Sequence, residues 1–387
     1  PDGKRIEVEV DNTGPGIQAE MEKILVELEC EPHFDEGYVI PPSFRGDLIC
    51  DADIAEEIAR FYGYNKIESR LLNGCATTLG SRNRKQKIQD RIRKQMTGMG
   101  YNEMLTFSFI SPSVFDRLNL PADCLLRDAV IIENPLGEDY SVMRTTMMPS
   151  FLESVANNYA HRVEAASLFE ISYIYVKTDK YPDELPEHRE MLTFGGYAAN
   201  GKADFFEFKG DIEALLEALK ITKYEFEPEK EIAFMHPGRT ARLFIGGKDS
   251  GIFGQIHPAV AKKWGCPDNT MVAMLRTDVL IANVTDIPKN KELPKFPAVT
   301  RDIAVVLDAD VPAGHVEKLI RQRGGKALET CTLFDCYIGA QVPEGKKSLA
   351  YALAFRDATR TLTDEDVSKF MKKILNGLEM QFGASLR

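Results

Sequence analysis

The sequence predicts an α+β protein assembled from successive modules. Three observations carry that reading. Residues 302–307, 328–338 and 348–356 form β-branched or alternating runs, interleaved with runs at helical spacing. Through the middle of the chain, strands and helices come in blocks, which favours an antiparallel sheet over a doubly wound one. The 387 residues, 44% apolar and 28% charged, supply enough core for two or three globular domains. The expected divisions are 1–70, 75–290 and 294–387.

The first module opens with a short alternating strand at residues 5–10. A helix follows over 20–28, carrying Ile24, Leu25 and Leu28 on one side. Residues 38–42 are a short strand ending in two prolines. The next helix, over 51–62, is expected to bury Ile54, Ile58 and Phe61 and to leave Asp53, Glu56 and Glu57 on a separate face. Like charges at these spacings repel by about 0.2–0.5 kcal/mol per pair, partly offset near a helix N-terminus. Two readings suit this pattern. One is a solvated acidic face. The other is a hard cation such as Mg²⁺ held by Asp47, Asp53, Glu56 and Glu57, since oxygen donors without His or Cys match that ion.

The middle module starts with a helix marked by Ile88, Ile92, Met96 and Met99. Its polar side carries Arg82, Arg84, Lys85, Lys87, Arg91, Arg93 and Lys94. Such a run is either a solvated face or an RNA-attracting one. Leu105, Phe107 and Phe109 alternate as a strand, and Ser111-Pro112 precedes a new helix. Strands are expected at 129–133, 167–176, 190–197, 242–245, 252–256 and 270–275. Helices are expected at 150–159 and 208–219. His236-Pro-Gly and His257-Pro read as turns, and no nucleophile motif accompanies them or Arg239. Arg144 suits an interface or a buried ion pair.

In the end module, residues 302–307 form a strand, and Val316, Leu319 and Ile320 line a helix that Gly324-Gly325 stops. Two strands flank a turn containing Pro343 and Gly345. Thr363 and Asp366 make a capping box for a helix bearing Val367, Phe370, Met371, Ile374 and Leu378, and Gly383 lies past its end. The order β-α-β-β-α gives a ferredoxin-like sheet with helices on one face and the other face open. Leu349, Tyr351, Leu353 and Phe355 are expected on the covered face. Ala350, Ala352, Ala354 and Arg356 fall on the open one.

Charge separates this end from the rest. Residues 294–387 carry 14 Lys+Arg against 12 Asp+Glu, whereas the whole chain has a net charge of −11. A weakly basic end on an acidic protein suits contact with a polyanion, although ordinary scatter of surface charge gives the same numbers. The seven cysteines include no C-x-x-C pair and suit reduced thiols in a cytoplasmic protein. No apolar run reaches membrane-span length. The chain begins Pro1-Asp2 and is expected to be part of a longer polypeptide.

Several blocks carry a resemblance. Lys295-Phe-Pro-Ala-Val-Thr-Arg-Asp302, Leu333-Phe-Asp-Cys-Tyr-Ile-Gly339, Gly345-Lys-Lys-Ser-Leu-Ala350 and Thr361-Leu-Thr-Asp-Glu365 resemble the ferredoxin-fold anticodon-binding domain of bacterial phenylalanyl-tRNA synthetase β subunits. Arg45 and Asp47, then Asp53-Ile-Ala-Glu-Glu57, then Gly63-Tyr64 resemble the B5 domain of the same family. Glu133-Asn-Pro-Leu-Gly and Phe234-Met-His-Pro-Gly-Arg239 resemble its catalytic-like B6–B7 region. The opening 10–16 departs from the family start.

The resemblance implies a winged-helix-like first domain, a class II synthetase-like antiparallel sheet domain and an RRM-like end domain. It implies an α₂β₂ enzyme that attaches phenylalanine to tRNA(Phe) using ATP and Mg²⁺, with chemistry on the α subunit. The Mg²⁺ ligands carry over to Asp47, Asp53, Glu56 and Glu57 at the α interface. The strand Ser167-Leu-Phe-Glu170 lacks the phosphate-binding arginine of class II catalysis, and Gly251-Ile-Phe-Gly254 has no arginine after it. This chain is therefore expected to be inactive alone, and to lack the editing modules. Arg301, Tyr337 and Arg356 are the expected tRNA contacts. The competing readings are a scaffold or RNA-binding protein without a ligase partner, and an independent enzyme centred near His236 and Arg239.

Overall fold

The computed structural model describes residues 4–10, 15–70, 74, 80–198, 204–287, 290 and 292–387. The opening segment 11–14, Cys75 and most of the expected boundary at 70–75 lie outside the described residues. The chain separates into two compact units, Pro1–Ser81 and Arg82–Arg387.

The first unit contains β1 (Ile6–Glu7), α1 (Pro15–Glu27), β2 (Glu31–His33), β3 (Tyr38–Ile40) and α2 (Asp51–Tyr62). The strands form an antiparallel sheet in the order β1-β3-β2. Ile6, Leu25, Val39, Leu48 and Ile54 make its small core. The α2 prediction needs one correction. Phe61 is 51% exposed, with the Arg60 guanidinium over its ring, while Glu57 is the residue turned inward at 7% exposure. Helical spacing places both residues near the apolar edge, and two arginines beside Glu57 decide which one goes in.

The second unit begins with α3 (Arg84–Gly98), β4 (Asn102–Glu103), β5 (Phe109–Ile110), α4 (Val114–Arg117), β6 (Val142–Met143) and α5 (Met148–Ala160). Then come β7 (Ala165–Val176), β8 (Glu187–Ala198), α6 (Phe205–Ala218), β9 (Tyr224–Pro228), β10 (Met235–Ile245), β11 (Lys248–Ile256), α7 (Pro258–Trp264), β12 (Met271–Arg276) and α8 (Thr277–Asn283). Seven strands form one sheet in the order β4-β7-β8-β12-β11-β10-β9. Every neighbouring pair is antiparallel except β4 with β7.

Both faces of this sheet are covered. Val272 and Met274 join a core with Phe151, Leu152, Val260 and Trp264 from α5 and α7. Met271, Ala273 and Leu275 point the opposite way, to Ile88, Ile92, Ile212 and Leu215 from α3 and α6. The period of two along β12 thus feeds two separate cores. Gly251 and Gly254, at φ +129° and +150°, let neighbouring strands approach where a Cβ would run into the carbonyls of Met274 and Arg239. Residues 129–133, expected as a strand, give only a bridge from Ile131 to Val142. Residues 104–108 lie between β4 and β5 rather than in a continuous strand.

The last part of the unit comprises β13 (Val299–Asp308), α9 (Ala313–Gly324), β14 (Leu328–Tyr337), β15 (Lys346–Phe355), α10 (Asp364–Phe382) and β16 (Ser385–Leu386). Its sheet runs β14-β15-β13-β16, all antiparallel. Leu349, Tyr351, Leu353 and Phe355 are each at most 1% exposed and pack with Val316, Ile320, Ile374 and Leu378 from the two helices. Thr363 accepts the Asp366 backbone N–H, and Asp366 accepts that of Thr363, closing the expected capping box. Among the described residues, no helix is long and apolar enough to cross a membrane.

Candidate partner and nucleic-acid interfaces

Around the start of α2, the four acidic residues take different roles. The Asp53 carboxylate accepts the backbone N–H groups of Ile49 and Cys50 at 2.7 and 2.9 Å, which holds it below the usual carboxylate range. Asp47 accepts the Arg45 guanidinium through both oxygens, at 2.7–3.1 Å. Glu57 accepts Arg45 at 3.0 Å and also pairs with Arg60. The Arg45 hydrogen bond is the largest cause holding Glu57 below its usual range. Glu56 is exposed. Among the described residues, no three His, Cys, Asp or Glu side chains converge as a metal site. As arranged, the set does not fit a cation: Arg45 spans Asp47 and Glu57, and Asp53 is spent on the helix start.

On the basic face of α3, read from sequence as either solvated or RNA-attracting, five of the seven cations have partners within the chain. Arg82 pairs with Asp90, Arg84 with Asp286, Lys85 with Glu190 and Arg93 with Glu103. Arg91 donates to the Ala218 carbonyl at 2.8 Å. Arg84, Lys85, Arg91 and Arg93 tie α3 to the rest of the unit, while Arg82 pairs within the helix region.

A different feature lies on the surface next to β5. Leu105 and Phe107 are 90% and 72% exposed, so their alternation turns outward. Phe109, Ile131, Leu136 and Tyr140 are exposed nearby, and the Phe107 and Tyr140 rings meet edge to face at 5.8 Å. Phe109 pairs with Met143 in the small β5-β6 sheet, and Ile131 forms a bridge to Val142. Thr106, pointing the other way, donates to the buried Glu170 at 2.7 Å and accepts Arg144 at 2.8 Å. Arg144 is wholly buried, 3.8 Å from Glu170, and also donates to the Tyr173 carbonyl and the Ser150 and Ser172 hydroxyls. A row of apolar side chains this exposed, backed by a fixed polar network, has the character of a protein interface. Periodicity identified the residues but not the direction they face.

His236 and His257 use Nδ1 to accept the backbone N–H of Gly238 and Ala259, as turn and helix-start residues do. Arg239 donates to Gln255.

The three expected tRNA contacts do not form one cluster. Arg301 lies opposite Leu353, on the helix-covered face, and pairs with Asp364. Tyr337 lies opposite Ser348 and carries the Arg387 guanidinium 5.2 Å from its ring centre. Arg356 follows Phe355 at the other end of β15, where it bonds Glu329 at 2.8 Å and the Phe296 carbonyl. Eight residues of strand separate Ser348 from Arg356, or about 27 Å at the usual rise. On the open face between them lie Ala350, Ala352 and Ala354.

The chain carries a mostly antiparallel seven-stranded sheet domain followed by a ferredoxin-like module, and comparison with known proteins gives the family. Residues 67–277 match the family described as phenylalanyl tRNA synthetase beta chain CLM domain. Residues 14–64 match the tRNA synthetase B5 domain, and residues 294–387 the ferredoxin-fold anticodon binding domain. The chain belongs to the phenylalanyl-tRNA synthetase β chain family. It is 42% identical to the phenylalanine–tRNA ligase beta subunits of Clostridium acetobutylicum over 362 residues and of Clostridium tetani over 364 residues. Each alignment covers 94% of this chain and 45% of the relative, so the chain spans a little under half their length. A pyrrolysyl-tRNA synthetase structure from Desulfitobacterium hafniense aligns at TM-score 0.42 and 17% identity, over 51% of this chain and 68% of the other.

Proposed function

We propose that this chain is the non-catalytic partner in a phenylalanine–tRNA ligase. In this reading it docks on an α subunit, in an α₂β₂ assembly, and presents tRNA(Phe) for ATP-dependent phenylalanylation. The observation that carries the proposal is the exposure of Leu105 and Phe107, with Tyr140 against the Phe107 ring and Phe109, Ile131 and Leu136 also exposed. Burying such a surface against a second protein supplies about 25 cal/mol per Å² of apolar area. Arg144 is buried among protein acceptors, and His236 and His257 each use Nδ1 to accept a backbone N–H, as turn residues do. The three modules are taken as 1–70, 75–290 and 294–387, with the last meeting the anticodon stem-loop through its open face.

The proposal extends to Mg²⁺ at Asp47, Asp53, Glu56 and Glu57 in the assembled enzyme. That requires Arg45 to give up Asp47 and Glu57. Metal content of the chain alone and mixed with α is the test, and equal, metal-free values in both remove this part.

Mixing the chain with a cognate α subunit on a sizing column tests the main reading. Phe107→Asp is expected to abolish co-elution while leaving the circular dichroism spectrum unchanged. Co-elution equal to the unsubstituted chain would refute docking through this row. ATP–pyrophosphate exchange by the chain without α would refute the non-catalytic role.

A further inference from the structure

We propose that a pocket at the Arg356 end of the end-domain sheet binds backbone phosphates of the RNA. This rests on the reading above that the end domain meets tRNA, and it goes further in naming a place away from the centre of the open face. The pocket has a volume of about 460 Å³ and is lined by Arg323, Lys326, Arg356 and Lys373, with Asp357 and Phe370. These cations come from three separate places: the end of α9 and the turn after it, the end of β15, and the side of α10.

Charge is the first argument. Four cations line the pocket with one carboxylate, Asp357, whose Oδ1 accepts the N–H and hydroxyl of Thr359 at 2.7 and 2.6 Å, and a second carboxylate, Glu329, pairs with Arg356. Among the described residues, no carboxylate lies within 4 Å of the charged ends of Arg323, Lys326 or Lys373, and Arg356 alone is paired, with Glu329. On α3 the same protein pairs Arg82, Arg84, Lys85 and Arg93 with its own carboxylates. Cations gathered without partners around a concavity suit an anion from outside. The end of α9 favours nearby cations by itself, but this does not account for Lys373 on α10 or Arg356 on β15.

Gly377 supplies an independent argument. It lies inside α10, where glycine is the poorest residue after proline. A Cβ there would sit 3.1 Å from both Cγ and Nε of Arg323. The bare helix surface therefore gives the Arg323 stem a bed against α10. Phe370, stacked on Phe355 at 5.8 Å, adds an aromatic wall that a sugar or base can cover and that inorganic phosphate does not need.

The test is binding of the 387-residue chain to tRNA(Phe) transcript, followed over a series of NaCl concentrations. Lys326→Gln/Lys373→Gln is expected to weaken binding and flatten the log K against log salt slope by about 1.5, two contacts at roughly 0.7–0.9 each. Lys369→Gln/Lys372→Gln removes the same charge from elsewhere and is expected to keep the original slope. Gly377→Ala keeps every charge and is expected to weaken binding without lowering the melting temperature. If both lysine pairs lower the slope equally, or Gly377→Ala binds as before, the effect is diffuse charge and the pocket is refuted. Lysine variants that match the original protein refute the pocket and leave the tRNA reading standing. A chain that binds no RNA ends both. Inorganic phosphate that saturates the pocket without competing with RNA assigns it to a small anion and also overturns the proposal.

Discussion

Glu57 sits between two guanidinium groups, and its position sets how the first unit responds to acid. Arg45 and Arg60 hold its carboxyl below the ordinary range, and backbone donors do the same for Asp53. The unfolded chain therefore binds more protons than the folded one in that interval. The stability these groups supply is complete above about pH 4.3 and drains as pH falls further. Replacing Glu57 by Gln is expected to flatten the acid limb of the melting temperature against pH, and an unchanged limb would show that the pairs contribute nothing. Arg144 presents the opposite situation. Arg144→Ala leaves Glu170 buried with only Thr106 as a partner, so a loss of about 3–5 kcal/mol in urea unfolding is expected. Arg144 was legible in the sequence as a buried-pair candidate, but the Glu57–Phe61 exchange was not. Both of those positions border the apolar stripe of α2, and only the tertiary placement of Arg45 separates them.

At the scale of elements, local chemistry decided the clearest cases. The capping box of α10 was readable because Thr363 and Asp366 act within one turn. Thr363→Ala is expected to cost about 1 kcal/mol by chemical denaturation. Alternation along β15 likewise assigned its covered and open faces correctly. The same rule applied to residues 105–109 found the period and missed the direction, since a row of apolar side chains looks identical whether its cover is the chain's own core or another molecule. The cations of α3 suit either a solvated or an RNA-attracting face in the sequence. Lys85 and Arg84 pair with Glu190 and Asp286, about a hundred or more residues away, which sequence neighbours could not show. Gly251 and Gly254, which lack the arginine of a class II motif, serve close strand packing.

Across the whole molecule, burial on both sides of the seven-stranded sheet dominates over surface ion pairs. Lys318 on α9 bonds Glu225 on β9 at 2.7 Å, joining the large sheet to the end domain, but the two side chains are 64% and 53% exposed. Lys318→Ala is expected to change unfolding free energy by less than about 1 kcal/mol, with no shift in cooperativity in a calorimetric scan. A larger change would mean that this contact sets the relation of the two parts of the unit. The modular plan was legible because each module carries its own turns and caps, whereas contacts between distant segments were not.

The uncovered row at Leu105 and Phe107 has a consequence for how the molecule is made. If a second subunit covers that row, as proposed, ribosomes that release this polypeptide before such a subunit appears leave a greasy strip open to any other unfinished chain. Yield in a host is then expected to rise when the proposed α subunit is made alongside it, and equal yield with and without α would count against that cover.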